Sequence, residues 1–200
     1  MPERIVIPFL RPRYEIASHV RSSLLLSSIQ SLKQHSLYDR YVAQLDAQNR
    51  ETLLSMVAGV WLPMDVGMSH YIACEALGLS VAEQVQIGRE VNDRIQGSLM
   101  GVLVKTAKNV GATPWTPLES SARLWERTFQ GGAGVCVTEV GPKEARVELV
   151  GLPILDILYF RHAYRGAFLG ALELFAQKVY VSEIRSAAAS GEVRFRISWV

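Results

Sequence analysis

Two predicted β-hairpins that flank one apolar segment constrain the fold of this chain more than any other feature. After a glycine-rich break, β-rich runs at 135–140 and 146–150 enclose the turn sequence Gly-Pro-Lys-Glu. A long, mostly apolar segment follows at 152–177, and runs at 179–184 and 193–199 form the second hairpin. This order predicts a four-stranded antiparallel sheet packed against helices at 118–130 and 155–177.

The last run shows the clearest strand pattern. Its apolar residues alternate with Arg194, Arg196 and Ser198, which places the two sets on opposite faces. This alternation predicts a half-buried strand with a basic outer face.

The first half of the chain predicts mainly helices. Residues 5–10 fit a short edge strand or an extended arm, because prolines interrupt them. Apolar residues then recur at three- to five-residue intervals over 15–34, and helical stretches follow at 38–45 and 49–61. A further helix is expected from Asp65 to the terminating Gly78. The predicted class is therefore α+β, with N-terminal helices before the sheet.

Two capping boxes predict helix starts. Ser80 and Glu83 begin a helix that reaches about residue 108, and Thr116 and Glu119 begin a short one. The long helix contains two glycines four residues apart, Gly97 and Gly101. Because glycine lowers helix stability relative to alanine, their presence predicts a close approach of another helix or backbone there.

The composition divides the chain only weakly. It shifts from helical to β-containing near residue 131, and we interpret 1–112 as a helical N-terminal region and 113–200 as an α/β domain, together one compact unit. At 49% hydrophobic residues and a net charge of +2, the chain can build a core and lacks the basic field of nucleic-acid-binding proteins. No secretory signal and no apolar run of about 20 residues are found, so a cytoplasmic protein without a membrane span is expected.

The potential metal ligands show no recognisable spacing. Cys74 and Cys136 lie among apolar residues and are interpreted as small buried hydrophobic side chains. His19, His35 and His70 are isolated from any acidic or cysteine pattern, so no metal site is expected.

A short polar island interrupts the apolar helix at 155–177. On a helix, Arg161 and His162 share a face with Arg165, and Gly166 and Gly170 allow another backbone or a flat ligand to approach closely. His162 can act as a metal ligand, as an acid or base, or as a structural hydrogen-bonding group. The arginines can bind an anionic head group, while the apolar residues around them fit an ordinary core.

Two other patterns have weak functional interpretations. The segment 72–85, with Gly78 and Ser80 at a helix junction, resembles a helix-turn-helix, but Ala82, Glu83, Gln86 and Ile87 offer no basic residue to DNA. A structural corner between helices is the preferred interpretation.

A carboxylate pair is the second of these patterns. Glu139 and Glu148 could form an acid–base pair with Asp156 nearby. Each also fits the solvent face of its strand, which is the preferred interpretation.

The C-terminal half resembles two related groups of proteins. The residues that carry the resemblance are 125–129, Arg165, Gly166, Gly170 and Trp199, with the glycine break and the two hairpins. Over residues 40–199 the chain resembles a family of uncharacterised proteins with many paralogues in myxobacteria. Over 115–199 it resembles the superfamily of 4-vinyl-reductase domains, haem nitric-oxide-sensor domains and palmitate-binding Golgi-transport subunits.

The resemblance implies a ligand-binding or scaffolding domain of α/β type, often dimeric, with a pocket beside its sheet. The chain departs from the superfamily at two motifs. Residues 155–160 lack the cysteine of the vinyl-reductase domains, and the Tyr-x-Ser-x-Arg clamp for haem propionates is absent. No cofactor is therefore expected.

These observations lead to a functional hypothesis: a non-enzymatic sensor or signalling module that binds a hydrophobic or lipid-like ligand. We expect a homodimer or a partner protein and no nucleic acid. A structural scaffold and a helix-turn-helix regulator are the alternatives. The predicted ligand-binding residues are Trp125, Phe129, Tyr159, Arg161, His162, Arg165 and Phe168.

Overall fold

The computed structural model describes residues 2–109, 113–184 and 190–200. Its strands are β1 (Arg4–Ile7), β2 (Ala17–Arg21), β3 (Trp61–Pro63), β4 (Phe129–Gly131), β5 (Gly134–Gly141), β6 (Glu144–Val150), β7 (Val179–Glu183) and β8 (Glu192–Trp199). Its helices are α1 (Ser22–Gln34), α2 (Tyr38–Gln44), α3 (Arg50–Ser55), α4 (Met64–Glu75), α5 (Val81–Asn109), α6 (Trp115–Glu119), α7 (Ser121–Thr128) and α8 (Leu158–Leu172).

The main sheet is antiparallel, with the strand order β1-β5-β6-β8-β7. Both predicted hairpins are present, and β6 pairs with β8, so that Val147 lies opposite Phe195. The inward residues of β6 and β8 are buried, while Arg194 and Arg196 lie on the outer face, as their alternation predicts.

The prediction of four strands was wrong by one. Arg4 lies opposite Glu139, so the N-terminal arm adds β1 to the edge of β5. The sequence shows the extended arm but not its partner, because pairing across so many residues leaves no local signal.

A second, three-stranded sheet with the order β3-β2-β4 was not predicted. It uses the beginning of the segment assigned to a helix at 15–34: residues 17–21 form β2, and the helix begins only at Ser22. Ile16, Val20 and Leu24 are four residues apart, and this even spacing fits one face of a strand as well as one face of a helix. The prediction over 49–61 failed similarly, since the helix ends at Ser55 and Trp61 starts β3.

Strand pairing joins the two halves of the chain. The first half supplies β1 to the main sheet and receives β4 as a partner of β2. Residues 1–112 are therefore not purely helical. None of the described helices is sufficiently long and apolar to cross a bilayer.

The first capping box is confirmed and the second is not. The backbone amide of Ser80 donates to Glu83 Oε2 at 2.8 Å, and the Glu83 amide donates to Ser80 Oγ at 3.3 Å. By contrast, α6 begins at Trp115 without a side-chain cap, and Thr116 Oγ1 accepts from the Thr113 amide instead. Of residues 96–109 the structure describes the helix but not its surroundings, so the close approach predicted at Gly97 and Gly101 stays a prediction.

We expect Ser80→Ala to lower the free energy of unfolding by about 1 kcal/mol, because the first turn of α5 would lose its cap. Thr116→Ala is the matched control at the second predicted box, and it should cost clearly less. Urea denaturation of both variants measures the difference, and equal losses would contradict the assignment of the caps.

Candidate functional site

Helix α8 crosses α5 with their backbones in contact. A Cβ atom added at Gly166 would lie 2.0 Å from the Val85 carbonyl oxygen, and one added at Gly88 would lie 1.9 Å from the Ala163 carbonyl oxygen. The close approach predicted at Gly166 is therefore made by another backbone. α5 thus occupies the space beside the glycines of α8 that a flat ligand would need.

The start of α8 is held by a carboxylate from α4. Glu75 Oε1 accepts hydrogen bonds from the backbone amides of Leu158, at 2.9 Å, and Tyr159, at 3.4 Å. A negative charge at a helix N-terminus is stabilising. The α8 helix itself is shorter than predicted, because residues 153–156 form a 3₁₀ turn and the helix ends at Leu172.

Two members of the polar island have protein partners. Arg161 Nη1 pairs with Glu183 Oε1 at 2.7 Å, and His162 Nδ1 is 2.7 Å from Gln84 Oε1. Burial lowers the pKa of His162, and the neighbouring arginines act in the same direction while Glu183 opposes them. His162 is thus held neutral near pH 7 as a structural hydrogen-bonding group.

The third member, Arg165, has unused hydrogen-bonding capacity. Its Nε atom and the Nε of Arg161 are both buried, and neither has a hydrogen-bond partner within the described part of the chain. Buried guanidinium donors without partners are uncommon, because a missing hydrogen bond costs about 1 to 3 kcal/mol. This pair is the part of the predicted site that could still accept an anion.

The predicted aromatic residues fall into separate groups. Trp125 packs on Phe129 with ring centroids 5.0 Å apart, and its Nε1 donates to the Gly131 carbonyl at 3.2 Å. Phe168 contacts Phe195 of the main sheet at 5.7 Å. Phe129 opens β4 instead of extending a helix.

Tyr159 and Phe168 belong to one chain of ring contacts, which runs from Tyr159 through Tyr71, Phe160 and Tyr164 to Phe168. Among the described rings, no contact joins Trp125 or Phe129 to Tyr159 or Phe168. All four side chains are packed against protein, so a ligand would have to displace them. Their role in ligand binding stays a prediction.

A buried polar cluster that the sequence analysis missed lies where α1, α2 and α4 meet. Tyr41 Oη is 2.8 Å from His70 Nδ1, and His70 Nε2 is 2.9 Å from Ser28 Oγ. All three side chains are nearly inaccessible to solvent. Burial lowers the pKa of His70 to about 3, so its ring is neutral at pH 7.

The same cluster contains a cysteine and a second tyrosine. Cys74 Sγ lies 3.7 Å from His70 Nε2, and burial raises the pKa of the thiol. Tyr159 Oη is beside Cys74 and Ser28. It forms no hydrogen bond of normal geometry within the described residues. His70 was therefore not isolated: Cys74 is four residues away, on the same face of α4. That spacing was the available signal.

On the outer face of the main sheet, carboxylates and arginines pair with one another. Glu148 lies within 3.5 Å of Arg13, Arg146 and Arg194. Glu139 pairs with Arg4 at 2.8 Å. Glu139 and Glu148, which the sequence analysis considered as an acid–base pair, therefore form separate ion pairs with different arginines.

The start of α5 presents little that could read DNA. Val81, Ala82, Glu83 and Gln86 are exposed, whereas Ile87 is buried. Hydrogen bonds from Ser80 lower the pKa of Glu83, which keeps this surface negative at pH 7. A carboxylate repels the phosphates of a duplex.

One surface cavity of about 520 Å³ lies at the β1–β5 edge, lined by Pro2, Glu3, Arg4, Glu139, Val140 and Gly141. None of the predicted ligand-binding residues lines it. The charged residues that line it, Glu3, Arg4 and Glu139, include both signs.

The fold is shared with H-NOX domains. A variant H-NOX protein from K. algicida matches with a TM-score of 0.64 at 11% identity, over 90% of this chain and 96% of that chain. An H-NOX structure used to study haem distortion matches with 0.56 at 12% identity, over 90% and 94%. An oxygen-binding H-NOX domain related to soluble guanylate cyclases matches with 0.53 at 12% identity, again over 90% and 94%.

This likeness covers nearly the whole chain, including the N-terminal helices, whereas the sequence resemblance to haem sensors was limited to residues 115–199. At such low identity it shows a common fold. No protein-family model matches the chain, and no curated protein matches its sequence. The expansion in myxobacteria is not shown.

Haem is the group that this fold implies, and the buried residues do not fit it. Haem iron takes an axial ligand from His, Cys, Met or Tyr. The buried ring of His70 is enclosed by the rings of Tyr41 and Tyr71, with centroids 5.3 and 4.7 Å away, so a macrocycle cannot lie against it. The close contact of α5 with α8 also leaves no cleft for a macrocycle between these helices.

The other three histidines are also not placed to bind haem iron. His162 is bonded to Gln84, and His35 is an exposed residue that pairs with Glu90 at 3.0 Å. His19 lies on the three-stranded sheet, with Nδ1 2.9 Å from Ser18 Oγ. We conclude that none of the four histidines is placed to bind haem iron.

Proposed function

We propose that this protein is a non-enzymatic signalling module that uses the H-NOX fold without haem and binds an amphiphilic, anionic small molecule. The shared fold over 90% of the chain supports a sensor-like role. The observation that carries the ligand class is the pair of unpartnered guanidinium donors on α8, at Arg161 and Arg165.

The ligand would contact α8 with its charged end. Arg161 is already paired with Glu183, which leaves Arg165 as the principal cation for a carboxylate or phosphate group. Phe168 lies one turn further along the same helix, so an apolar tail could pack there after displacing side chains. The closed packing implies that binding opens the structure, as expected for a switch.

Native mass spectrometry of the purified protein tests the proposal. We expect extra mass that is lost on denaturation, and a much smaller retained fraction for Arg165→Gln. Arg123→Gln is the matched control, because Arg123 is an exposed arginine on the separate helix α7. A clean apo mass after purification from cell extract would contradict the proposal, as would a Soret band from bound haem.

A second candidate, a protein-interaction scaffold, is favoured by the N-terminal segment 5–16. Its apolar side chains Ile5, Leu10, Tyr14 and Ile16 are exposed by 64%, 39%, 83% and 66%. Exposed apolar groups of this kind can mark an interaction surface. The same native spectra would report a homodimer, which we propose as the assembly for this candidate.

A further inference from the structure

His70 and Cys74 are arranged as two ligands of one metal ion. They are one turn apart on α4, both are buried, and Sγ and Nε2 are 3.7 Å apart. A three-coordinate ion with the bond lengths of zinc sites, about 2.3 Å to sulfur and about 2.0 Å to nitrogen, and an angle of about 120° between them, separates these atoms by about 3.7 Å. No rearrangement of the helix is needed to reach this geometry.

The surroundings of the pair supply the outer contacts of a metal site. Tyr41 Oη, at 2.8 Å, can accept a hydrogen bond from Nδ1–H and so leave the lone pair of His70 on Nε2, the nitrogen that lies 3.7 Å from Cys74 Sγ. Tyr159 Oη, buried and without a hydrogen bond of normal geometry, lies beside the thiol. Ser28 would give up its hydrogen bond to Nε2 and could become a third ligand.

The donor set selects the kind of ion. Within the described residues, no three His, Cys, Asp or Glu side chains come together, so the four ligands of a structural zinc site are not available. Thiolate ligands favour Cu(I), which is stable with two or three ligands. A Cu(I) ion bound to one thiolate and one neutral imidazole has no net charge, and this suits a site closed to water.

We propose that His70 and Cys74 bind one Cu(I) ion in the core, where α1, α2 and α4 meet. In the binding step the Cys74 S–H bond breaks, a Cu–S bond forms, and the proton leaves to solvent. His70 Nε2 donates its lone pair to the ion. The copper stays Cu(I), so no oxidant or reductant takes part.

Copper binding is measured on the full chain, expressed with added copper and kept anaerobic with ascorbate. Native mass spectrometry is expected to show a mass increase of one copper ion less one proton. Competition with bicinchoninate gives the affinity, and Cys74→Ala is expected to weaken it by at least about 100-fold. Circular dichroism establishes that the variant is folded.

Cys136→Ala is the matched control, because Cys136 is the other buried free cysteine and has no histidine beside it. It should retain the copper with unchanged affinity. No copper in the wild-type protein, equal affinity in Cys74→Ala, or loss of copper in Cys136→Ala would each overturn the proposal. His70→Gln gives a second check, since it should weaken binding while preserving the polar character of the position. These results are independent of any organic ligand at Arg165.

Discussion

Gly166→Ala is expected to lower the free energy of unfolding by more than about 3 kcal/mol, or to prevent folding altogether. The added Cβ would lie 2.0 Å from the Val85 carbonyl oxygen and 2.9 Å from its carbonyl carbon, so two helix backbones would have to separate. Gly88→Ala is expected to act in the same way, because its Cβ would meet the Ala163 carbonyl at 1.9 Å. Urea denaturation followed by circular dichroism measures both effects.

Gly170→Ala is the matched control on the same helix. Its Cβ would lie 3.3 Å from Asn92 Nδ2 and 3.6 Å from the Arg89 Cα atom, which small side-chain movements can accommodate. Alanine also favours helix over glycine by about 1 kcal/mol, so the net change should be small. If all three variants lost the same stability, the backbone contact between α5 and α8 would be incorrect.

The metal-free protein is expected to lose stability as the pH falls below about 6.5, because of His70. The pKa of this ring is lowered to about 3 in the folded protein, so between these values the unfolded chain binds a proton that the folded chain does not. The free energy of unfolding therefore falls by at most about 1.4 kcal/mol for each unit by which the pH is lowered. At about pH 5 the loss from this group alone is about 2 kcal/mol.

His70→Gln removes this ionisation. Urea denaturation with a chelator at about pH 7.5 and about pH 5 should therefore show a steeper loss for the wild-type protein than for His70→Gln. The control His35→Gln replaces an exposed histidine and keeps the wild-type slope, because the His70 ring is still present. Parallel pH profiles for wild-type and His70→Gln proteins would show that burial does not exclude the proton.

Local patterns predicted the parts of the fold whose partners are close in sequence. The two hairpins and the cap at Ser80 are examples, since each depends on a few neighbouring residues. The arm that forms β1 was predicted without its partner β5, which is more than a hundred residues away, and β2 was missed together with both of its partners, β3 and β4. At residues 17–21 the apolar spacing also fitted both a helix and a strand, and only pairing with β3 and β4 decides between them.

The candidate sites could likewise be predicted only where they depend on residues that are close in sequence. The close approach at Gly166 followed from positions on one helix. The cluster around His70 draws on Ser28, Tyr41 and Tyr159, which three other helices provide, so its composition could not be predicted. Within α4, however, the i to i+4 spacing of His70 and Cys74 was visible and was overlooked.

The pairing of β1 with β5 has a consequence for the order in which the chain can fold. Arg4 and Glu139 are 135 residues apart, so the edge of the main sheet cannot close until most of the chain has been synthesised. Contacts of such high sequence separation slow folding, because a large loop must lose its entropy first. Until then the partner edge of β5 is uncovered, and the nascent chain is exposed to strand-to-strand aggregation during this interval.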